Sequence, residues 1–301
     1  MNKKKKSPQH STAFIFIMTL LVSLIILGIV AYIILDAIVF KKAETGDVKI
    51  KESFYTPDIK DNETILIIGE NEGTLEYTVL MYYNALHSRI LFTPIPVNTF
   101  SQVNTRKATL EDFYKKDDPK NLCRAVENLF DISVQKYIKL TPSLLNTIVK
   151  NTSNLSFPLV CDMDYKNPKT NEVTQFSKDA KNSFNGSDLR KIILYPNYPD
   201  GIFYNMYYTG FIARNLVNNF VTTSDEIISS LDNIYNDVIL KSTTNIEEYD
   251  FYSKKLSFLY MIDKNKEPAI FMLPKGDINE KNYFIVSDEY KNTVNEYICN
   301  E

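Results

Sequence analysis

An uncharged apolar segment near the N-terminus constrains this chain more than any other feature. Between Ser11 and Leu35 there is no Asp, Glu, Lys, Arg or His, and most positions are Ile, Leu, Val, Phe or Ala. At about 1.5 Å per residue in a helix, this run is long enough to cross a hydrocarbon layer of about 30 Å. We therefore predict a transmembrane helix over residues 13–40, preceded by a short tail of residues 1–12.

A cleaved secretory signal peptide is the alternative interpretation of this segment. Signal peptides usually have an apolar region of about 7–15 residues that ends at a small-residue cleavage site. The run from Ser11 to Leu35 is longer than that, and it ends without a clear cleavage site. A retained membrane anchor is therefore the preferred interpretation.

Lysines on either side of the span predict its orientation. Residues 3–6 are all lysine, whereas only Lys41 and Lys42 follow the span directly. Cytoplasmic flanks of membrane helices carry the excess of positive charge. We expect a single-pass protein of the cell membrane, with its N-terminus in the cytoplasm and the rest of the chain outside.

Beyond the anchor, the sequence predicts a connecting stretch and one domain. Residues 41–61 are polar and without sustained periodicity, which favours a stalk or an edge extension of the domain. In residues 62–301, buried-strand patterns alternate with helical patterns, as in layered α/β domains. One domain is favoured over two, because single α/β domains of about 200–250 residues are common.

Apolar patterns indicate the strands and helices of this domain. Strands are predicted over residues 64–69, 78–83, 90–93, 269–273 and 283–286, the last two around a turn at residues 274–276. The second and third strands form a hairpin. Helices are predicted around residues 122–130, 142–149, 204–211, 227–238 and 290–298. Residues 151–185 are polar and favour a long loop or excursion.

Two helix starts carry specific capping patterns. Thr141 is an N-cap residue followed by Pro142, and proline suits the first helical position. Thr223 and Glu226 have the spacing of a capping box. Both patterns predict where the following helices begin.

Composition excludes several classes of function. The formal net charge is −3 and the pI is about 5.6, so the chain has no basic field for nucleic acid. His10 and His87 are the only histidines, and they lie too far apart in the predicted topology to form one site. The sequence has no phosphate-binding loop, dinucleotide fingerprint or serine elbow.

Cysteines give no metal-binding pattern. Cys123, Cys161 and Cys299 are an odd and scattered set. A Cys123–Cys161 bridge is compatible with an extracytoplasmic location, where disulfides persist, but buried free thiols are the preferred interpretation.

Several segments occur in an order that is typical of one protein family. The early ones are residues 65–69, a strand that ends in glycine, then residues 78–81 and residues 95–99. The later ones are residues 126–132, 137–140, 184–186, 273–276 and 283–286. Together they resemble the LytR-CpsA-Psr family of membrane-anchored cell-envelope proteins, whose members carry Arg-Ser-Asp-Thr, Ile-Pro-Arg-Asp-Thr and Leu-Asn-Gly segments in this order.

The resemblance implies a mixed central sheet with helices on both faces. It also implies a phosphotransferase fold that moves glycopolymers from a polyprenyl pyrophosphate carrier onto the cell wall. In active members a polyprenyl tail lies between the sheet and the helices, while arginines and aspartates hold the pyrophosphate and a magnesium ion.

This chain departs from the family pattern at the charged positions. Leu75 and Tyr77 occupy the Arg and Asp positions of the first segment, and Val97 and Asn98 those of the second. No arginine occurs between residues 191 and 211, where the family carries more. Pyrophosphate needs charge-assisted donors and magnesium needs hard oxygen ligands, so the loss removes the electrostatic part of catalysis. The sequence therefore predicts a catalytically degenerate member without a metal.

We predict a protein that binds a lipid-linked glycan, a wall polymer or a partner protein. One alternative is an active, magnesium-dependent transferase whose catalytic groups occupy other positions, and another is a structural or sensory membrane protein without a ligand. The candidate ligand contacts are Glu70, Asn71, Asn98, Thr99, Arg106 and Lys107. The plainer interpretation is that these residues form loops, cap a turn after Pro96 or lie on a solvated surface.

The topology predicts the outcome of proteolysis. Protease added to intact cells that have been stripped of their wall is expected to digest the chain beyond about Lys41, because the domain faces outward. Immunoblotting with an antibody against the domain measures the loss, and cells opened with detergent show that the protease reaches every site. Full protection of the domain in intact cells would show that the orientation is wrong.

Overall fold

A computed structural model describes residues 55–115, 117–152, 154–180, 182–223, 227–244, 246–262 and 267–299. The predicted span over residues 13–40 lies outside these ranges. Within them, no helix combines the length and the apolar character that crossing a membrane requires. From Tyr55 onward the chain belongs to one compact unit.

Thirteen strands and eight helices are described in this unit. The strands are β1 (Glu63–Asn71), β2 (Thr74–Asn84), β3 (Arg89–Ile95), β4 (Phe100–Val103), β5 (Arg106–Thr109), β6 (Lys136–Leu140), β7 (Leu155–Ser156), β8 (Met163–Lys166), β9 (Val173–Phe176), β10 (Ser183–Phe184), β11 (Ala269–Phe271), β12 (Gly276–Ile278) and β13 (Phe284–Val286). The helices are α1 (Leu110–Tyr114), α2 (Pro119–Phe130), α3 (Pro142–Thr152), α4 (Gly186–Ile193), α5 (Ile202–Thr223), α6 (Ile227–Ile239), α7 (Tyr249–Ile262) and α8 (Asp288–Cys299), with 3-10 turns at Ile59–Asp61 and Ile246–Glu248.

Five strands form the central sheet in the order β11-β3-β2-β1-β6. The β2 strand runs antiparallel to both neighbours, whereas β6 is parallel to β1 and β11 is parallel to β3. This mixed sheet contains the predicted hairpin of β2 and β3. Parallel pairs require crossover connections, which the helices provide.

Helices cover both faces of the sheet, as the family resemblance implies. On one face, Leu66 and Ile68 pack in a cluster with α1, α2 and α8, and we call this side the three-helix face. On the other, Val79 and Phe92 pack in a cluster with α3, α4, α5, α6 and α7, the five-helix face. Because both faces are covered, β1 needs apolar residues at nearly every position, which explains its unbroken apolar run.

Two segments fold differently from the sequence-based prediction. Residues 151–185 are not a simple loop, because β8 pairs with β9 and β7 pairs with β10. The clue in the sequence is a strict alternation in β8, where Met163 and Tyr165 are buried and their neighbours are exposed. The strand β12, which begins at Gly276 within the predicted turn, was not predicted: β11 joins the central sheet beside β3, and β13 pairs with β12.

Helix starts follow the capping pattern where it lies in the described part. Leu144 donates its backbone N–H to Oγ1 of Thr141 at 3.3 Å, which is the predicted N-cap of α3. Thr223 is the last residue of α5, and its capping partner Glu226 lies outside the described residues. The helix predicted after it is present as α6.

A bulge between β1 and β2 turns neighbouring side chains to opposite faces. Gly69 lies opposite Tyr77 and Glu70 opposite Leu75, so Glu76 is the extra residue. Leu75 therefore packs on the three-helix face and Tyr77 on the five-helix face. A Cβ atom at Gly69 would lie only 2.3 Å from the Tyr77 ring, so glycine is needed there for close packing.

Gly69→Ala is expected to destabilise the domain by about 1–3 kcal/mol, because an added methyl group forces a buried ring or the backbone to move. Urea unfolding of the chain from Val48 onward measures the difference. In a Tyr77→Ala background the cost of the same change should fall, since the obstructing ring is absent. An equal cost in both backgrounds would contradict this packing explanation.

Candidate functional site

Three apolar cavities adjoin one another between the sheet and the helices of the five-helix face. We call them the proline-end cavity, beside Pro94 and Pro96, the middle cavity, and the lysine-end cavity, beside Lys255. Their volumes are about 200, 150 and 240 Å³ respectively. Ligand pockets usually hold about 300–1,000 Å³, so a ligand of ordinary size would have to extend through more than one of them.

Shared lining residues place the three cavities side by side in one row, which we call the apolar path. Tyr77, Ile193 and Thr209 line both the proline-end and the middle cavity. Met81, Ile148, Leu216 and Val217 line both the middle and the lysine-end cavity. The path therefore follows β2 from Tyr77 to Tyr83, about 20 Å at about 3.4 Å per residue.

Short side chains on α5 leave space in the middle of this path. Thr209 and Ala213 are one helical turn apart, so they lie on the same side of α5, and both line the middle cavity. Across from them on the sheet are Val79 and Met81. Larger residues at the two helix positions would fill the gap, as they do elsewhere in the core.

The proline-end cavity lies at the carboxyl end of β3, where the resemblance implies a pyrophosphate site. Val97 lines it, together with Leu194 and Pro196. Tyr77 also lines it, and its ring is buried against Gly69. Burial raises the pKa of the Tyr77 hydroxyl, so this group stays neutral. The lining of this cavity therefore offers a phosphate no cation.

Glu76 is the charged residue of this lining, and an arginine neutralises it. Arg190 on α4 donates through Nε to Oε2 of Glu76 at 2.7 Å, and a second bond joins its terminal nitrogen to Oε1. Both side chains are largely buried. Sequence reasoning did not single out this pair, because the two residues are distant in the chain and the β-bulge that aims Glu76 is not visible in the pattern.

Glu70 and Asn71, two of the predicted contacts, lie apart from each other, one against the three-helix face and one in a polar cleft. Glu70 is buried, with its carboxylate 3.2 Å from the hydroxyl of Tyr114, which belongs to the three-helix face. That hydroxyl also lies 2.8 Å from Asp117. Asn71 lines a separate polar cleft of about 280 Å³ next to Lys169 and Arg190.

Asn98 and Thr99 connect the end of β3 to β13. Nδ2 of Asn98 donates to the carbonyl of Asn282 at 2.7 Å, and Phe284 donates its N–H to the carbonyl of Asn98 at 3.1 Å. The N–H of Thr99 donates to the carbonyl of Pro96 and closes a turn. Thr99 is fully buried, and its hydroxyl has no hydrogen-bond partner within the described part of the chain.

Arg106 and Lys107 lie on the exposed strand β5. The guanidinium of Arg106 stands 5.0 Å from the centre of the Phe113 ring and donates to the carbonyl of Asp112. Neither residue lines any of the three cavities. The six predicted contacts are thus distributed over separate places, and their role in binding stays a prediction.

A charged cluster at the lysine-end cavity was not predicted. Lys136 lies 3.2 Å from Glu63 and 2.5 Å from Glu248, and it donates to the hydroxyl of Tyr252 at 2.7 Å. Burial opposes the charge of Lys136, but the two carboxylates raise its pKa above the ordinary value. Lys255, on α7, lies on the other side of Glu63 at 3.7 Å.

Metal-ligand and disulfide patterns are absent from the described residues. No group of three or more His, Cys, Asp or Glu side chains there is placed to hold a metal ion. Cys123, Cys161 and Cys299 are free thiols, as the sequence favours, but Cys123 and Cys161 are only partly buried and Cys299 is exposed, so the predicted burial is wrong.

Comparison with known proteins identifies the fold. No protein-family model and no curated protein sequence matches the chain. A Eubacterium siraeum protein described as a transcription regulator has a similar structure, with a TM-score of 0.70 and 20% identity over 84% of this chain and 97% of that one. TagV of Bacillus subtilis has a TM-score of 0.63 and 16% identity, over 79% of this chain and 95% of TagV. TagT of the same organism has a TM-score of 0.61 and 12% identity, over 82% of this chain and 93% of TagT.

At these identities the likeness is one of fold. TagV and TagT are LytR-CpsA-Psr proteins, and they match nearly the full length of the described domain. The domain therefore has an LytR-CpsA-Psr-like α/β fold with a mixed central sheet and flanking helices.

Proposed function

We propose that this is a cell-envelope protein that binds a lipid-linked glycan by its apolar chain and does not transfer it. The observation that supports the proposal most is the apolar path from the proline-end to the lysine-end cavity, combined with the absence of Lys and Arg from the described residues that line the proline-end cavity. The likeness to the fold of TagV and TagT adds support, because the resemblance implies a polyprenyl carrier as the ligand of this family.

An apolar chain suits these cavities for energetic reasons. Apolar side chains around an unfilled space lose packing contacts that a filled core would give them, and the middle cavity has a volume of about 150 Å³. A domain that serves only as a scaffold gains stability when such a gap is filled. The retained cavities favour a ligand-binding protein over the structural or sensory alternative.

The electrostatics argue against the alternative of an active transferase. Phosphoryl transfer depends on cations and donors arranged around the transferred group. Beside the proline-end cavity the nearest arginine, Arg190, is already bonded to Glu76 through two of its nitrogens. Breaking such a pair leaves an uncompensated carboxylate behind, which is costly.

The predicted membrane anchor fits this role. A domain held at the outer surface of the membrane lies next to polyprenyl lipids and the glycans that they carry. The anchor and the extracytoplasmic location are parts of the proposal, because the span over residues 13–40 lies outside the described residues.

Filling the middle cavity is expected to block binding. Ala213→Phe places a ring in the path, and the affinity for a fluorescent polyprenol should fall at least about tenfold, the equivalent of about 1.4 kcal/mol. Ala180→Phe, at an exposed loop position, is the matched control and should leave binding unchanged. Unfolding curves show whether each variant is folded. Undiminished binding by a folded Ala213→Phe variant would place the ligand elsewhere.

The unmodified protein is expected to show no magnesium-dependent transfer or pyrophosphatase activity. Losing one preorganised electrostatic contact typically costs about 10²–10³ in rate, and here several are replaced together. Release of phosphate from a polyprenyl pyrophosphate analogue, measured with and without magnesium, tests this. Restoring Val97→Arg and Asn98→Asp together should also give no activity, because Leu75 and Tyr77 remain. Clear metal-dependent turnover by the unmodified protein would overturn the account.

A further inference from the structure

Lys255 is the one cation among the described residues that line the three cavities. The charged residues besides it are Glu63, which also lines the lysine-end cavity, and Glu76, which is bonded to Arg190 at the proline end. The cation that lines the apolar path therefore lies at its lysine end, beside the carboxylate of Glu63. This is the opposite end from the one where the family resemblance implies a pyrophosphate.

The surroundings of Lys255 are aromatic and nearly dry. Its side chain is only 7% exposed, and Nζ lies 4.0 Å from the ring centre of Phe251, 4.8 Å from that of Tyr83 and 5.7 Å from that of Tyr252. Aromatic faces stabilise a cation in such a setting, but they do not accept its strong hydrogen bonds. Lys255 is thus held in place at the cavity wall.

The hydrogen-bonding capacity of Lys255 is only partly used. An ammonium group has three donors. Nζ donates to the carbonyl of Asp61 at 2.9 Å, and the nearest carboxylate oxygen, from Glu63, is 3.7 Å away, too far for a hydrogen bond. Within the part of the chain that the structure describes, the remaining donors have no acceptor.

Glu63 is engaged by other groups. Its carboxylate lies 3.2 Å from Lys136 and accepts a hydrogen bond from the hydroxyl of Tyr252 at 2.9 Å. Burial lowers the pKa of Lys255, and the neighbouring carboxylates do not offset this effect. An anion bound next to Lys255 would favour the charged form of its ammonium group.

We propose that the cavities bind a single-chain lipid with an anionic head, a phosphate or a carboxylate, which contacts Lys255 while the chain extends toward the proline end. The inference rests on the proposed function, since it requires an apolar chain in the cavities. Beyond the proposed function, the inference specifies the direction in which the chain lies and the chemical group of its head. The path between Tyr83 and Tyr77, about 20 Å, is of the order of length of a hexadecyl chain.

Photoaffinity labelling of the full chain in lipid nanodiscs tests the direction. Two hexadecyl phosphate probes carry the photoreactive group either next to the head or at the far end of the chain. The head-side probe is expected to label the surroundings of Tyr83 and Leu256, and the far-end probe those of Val97 and Met206. The reverse pattern would overturn the inference but leave the proposed function intact. No labelling inside the cavities with either probe would overturn both.

A matched pair of lysine variants tests the head. The unmodified protein should be labelled by the phosphate or the carboxylate probe about tenfold more than by a hexadecyl alcohol probe, in line with a charge-assisted hydrogen bond. Lys255→Met should bring this ratio to about one. Lys254→Met, which changes an exposed lysine paired with Asp250, should leave it unchanged.

Each outcome of the variant experiment is informative. A phosphate preference without a carboxylate preference identifies the head as phosphate, in agreement with the proposed lipid-linked ligand. The converse identifies a fatty acid, which would overturn the glycan ligand of the proposed function but leave the role of Lys255 intact. Equal labelling by the acidic and alcohol probes in the unmodified protein would refute a role for Lys255 in binding. If Lys255→Met fails to fold, the comparison of probes on the unmodified protein still decides the question.

Discussion

The burial of the central strands on both faces is the constraint on which the rest of the domain depends. Leu66 and Ile68 face one side and Val79 and Phe92 the other, so each face needs its own layer of helices. The three-helix face is closed by large side chains, and Phe113, Tyr114, Phe130 and Phe284 on or beside it are less than 2% exposed. The five-helix face is larger, and the short side chains of α5 leave a gap there. The apolar path therefore lies on the five-helix face.

The distribution of charge along this path distinguishes the chain from the pattern that it resembles. At the proline end, the neutral residues Val97 and Tyr77 line the cavity, and Glu76 is neutralised by Arg190. At the lysine end, Lys255 stands at the cavity wall among aromatic rings. Under the proposed function, a fold of this type binds an apolar chain without transferring what the chain carries.

Local sequence patterns predicted the positions of strands and helices better than they predicted which strands pair. The apolar run of β1, the hairpin of β2 and β3 and the proline start of α3 depend on nearby residues, and all are present. The pairing of β11 with β3 and of β12 with β13 depends on which strands meet after long connections. A single sequence carries little information about that choice, because several short apolar runs are equally suitable.

The candidate site was harder to predict for the same reason. The absence of charge at Leu75, Tyr77 and Val97 is visible in the sequence once the family order is recognised. The cluster around Lys255 is not, because Glu63, Lys136 and Lys255 lie far apart in the chain and meet only in the folded domain. The cavities likewise depend on the distance between the sheet and the helices, and residue type alone does not predict that distance.

Hydrogen exchange in the presence of a long-chain prenol tests most directly whether the five-helix face holds an apolar chain. The account predicts slower amide exchange in α3 and α5, whose residues line the middle cavity, and unchanged exchange in α2 and α8 on the three-helix face. Unchanged exchange in α5 at saturating prenol, or equal slowing on both faces, would contradict it.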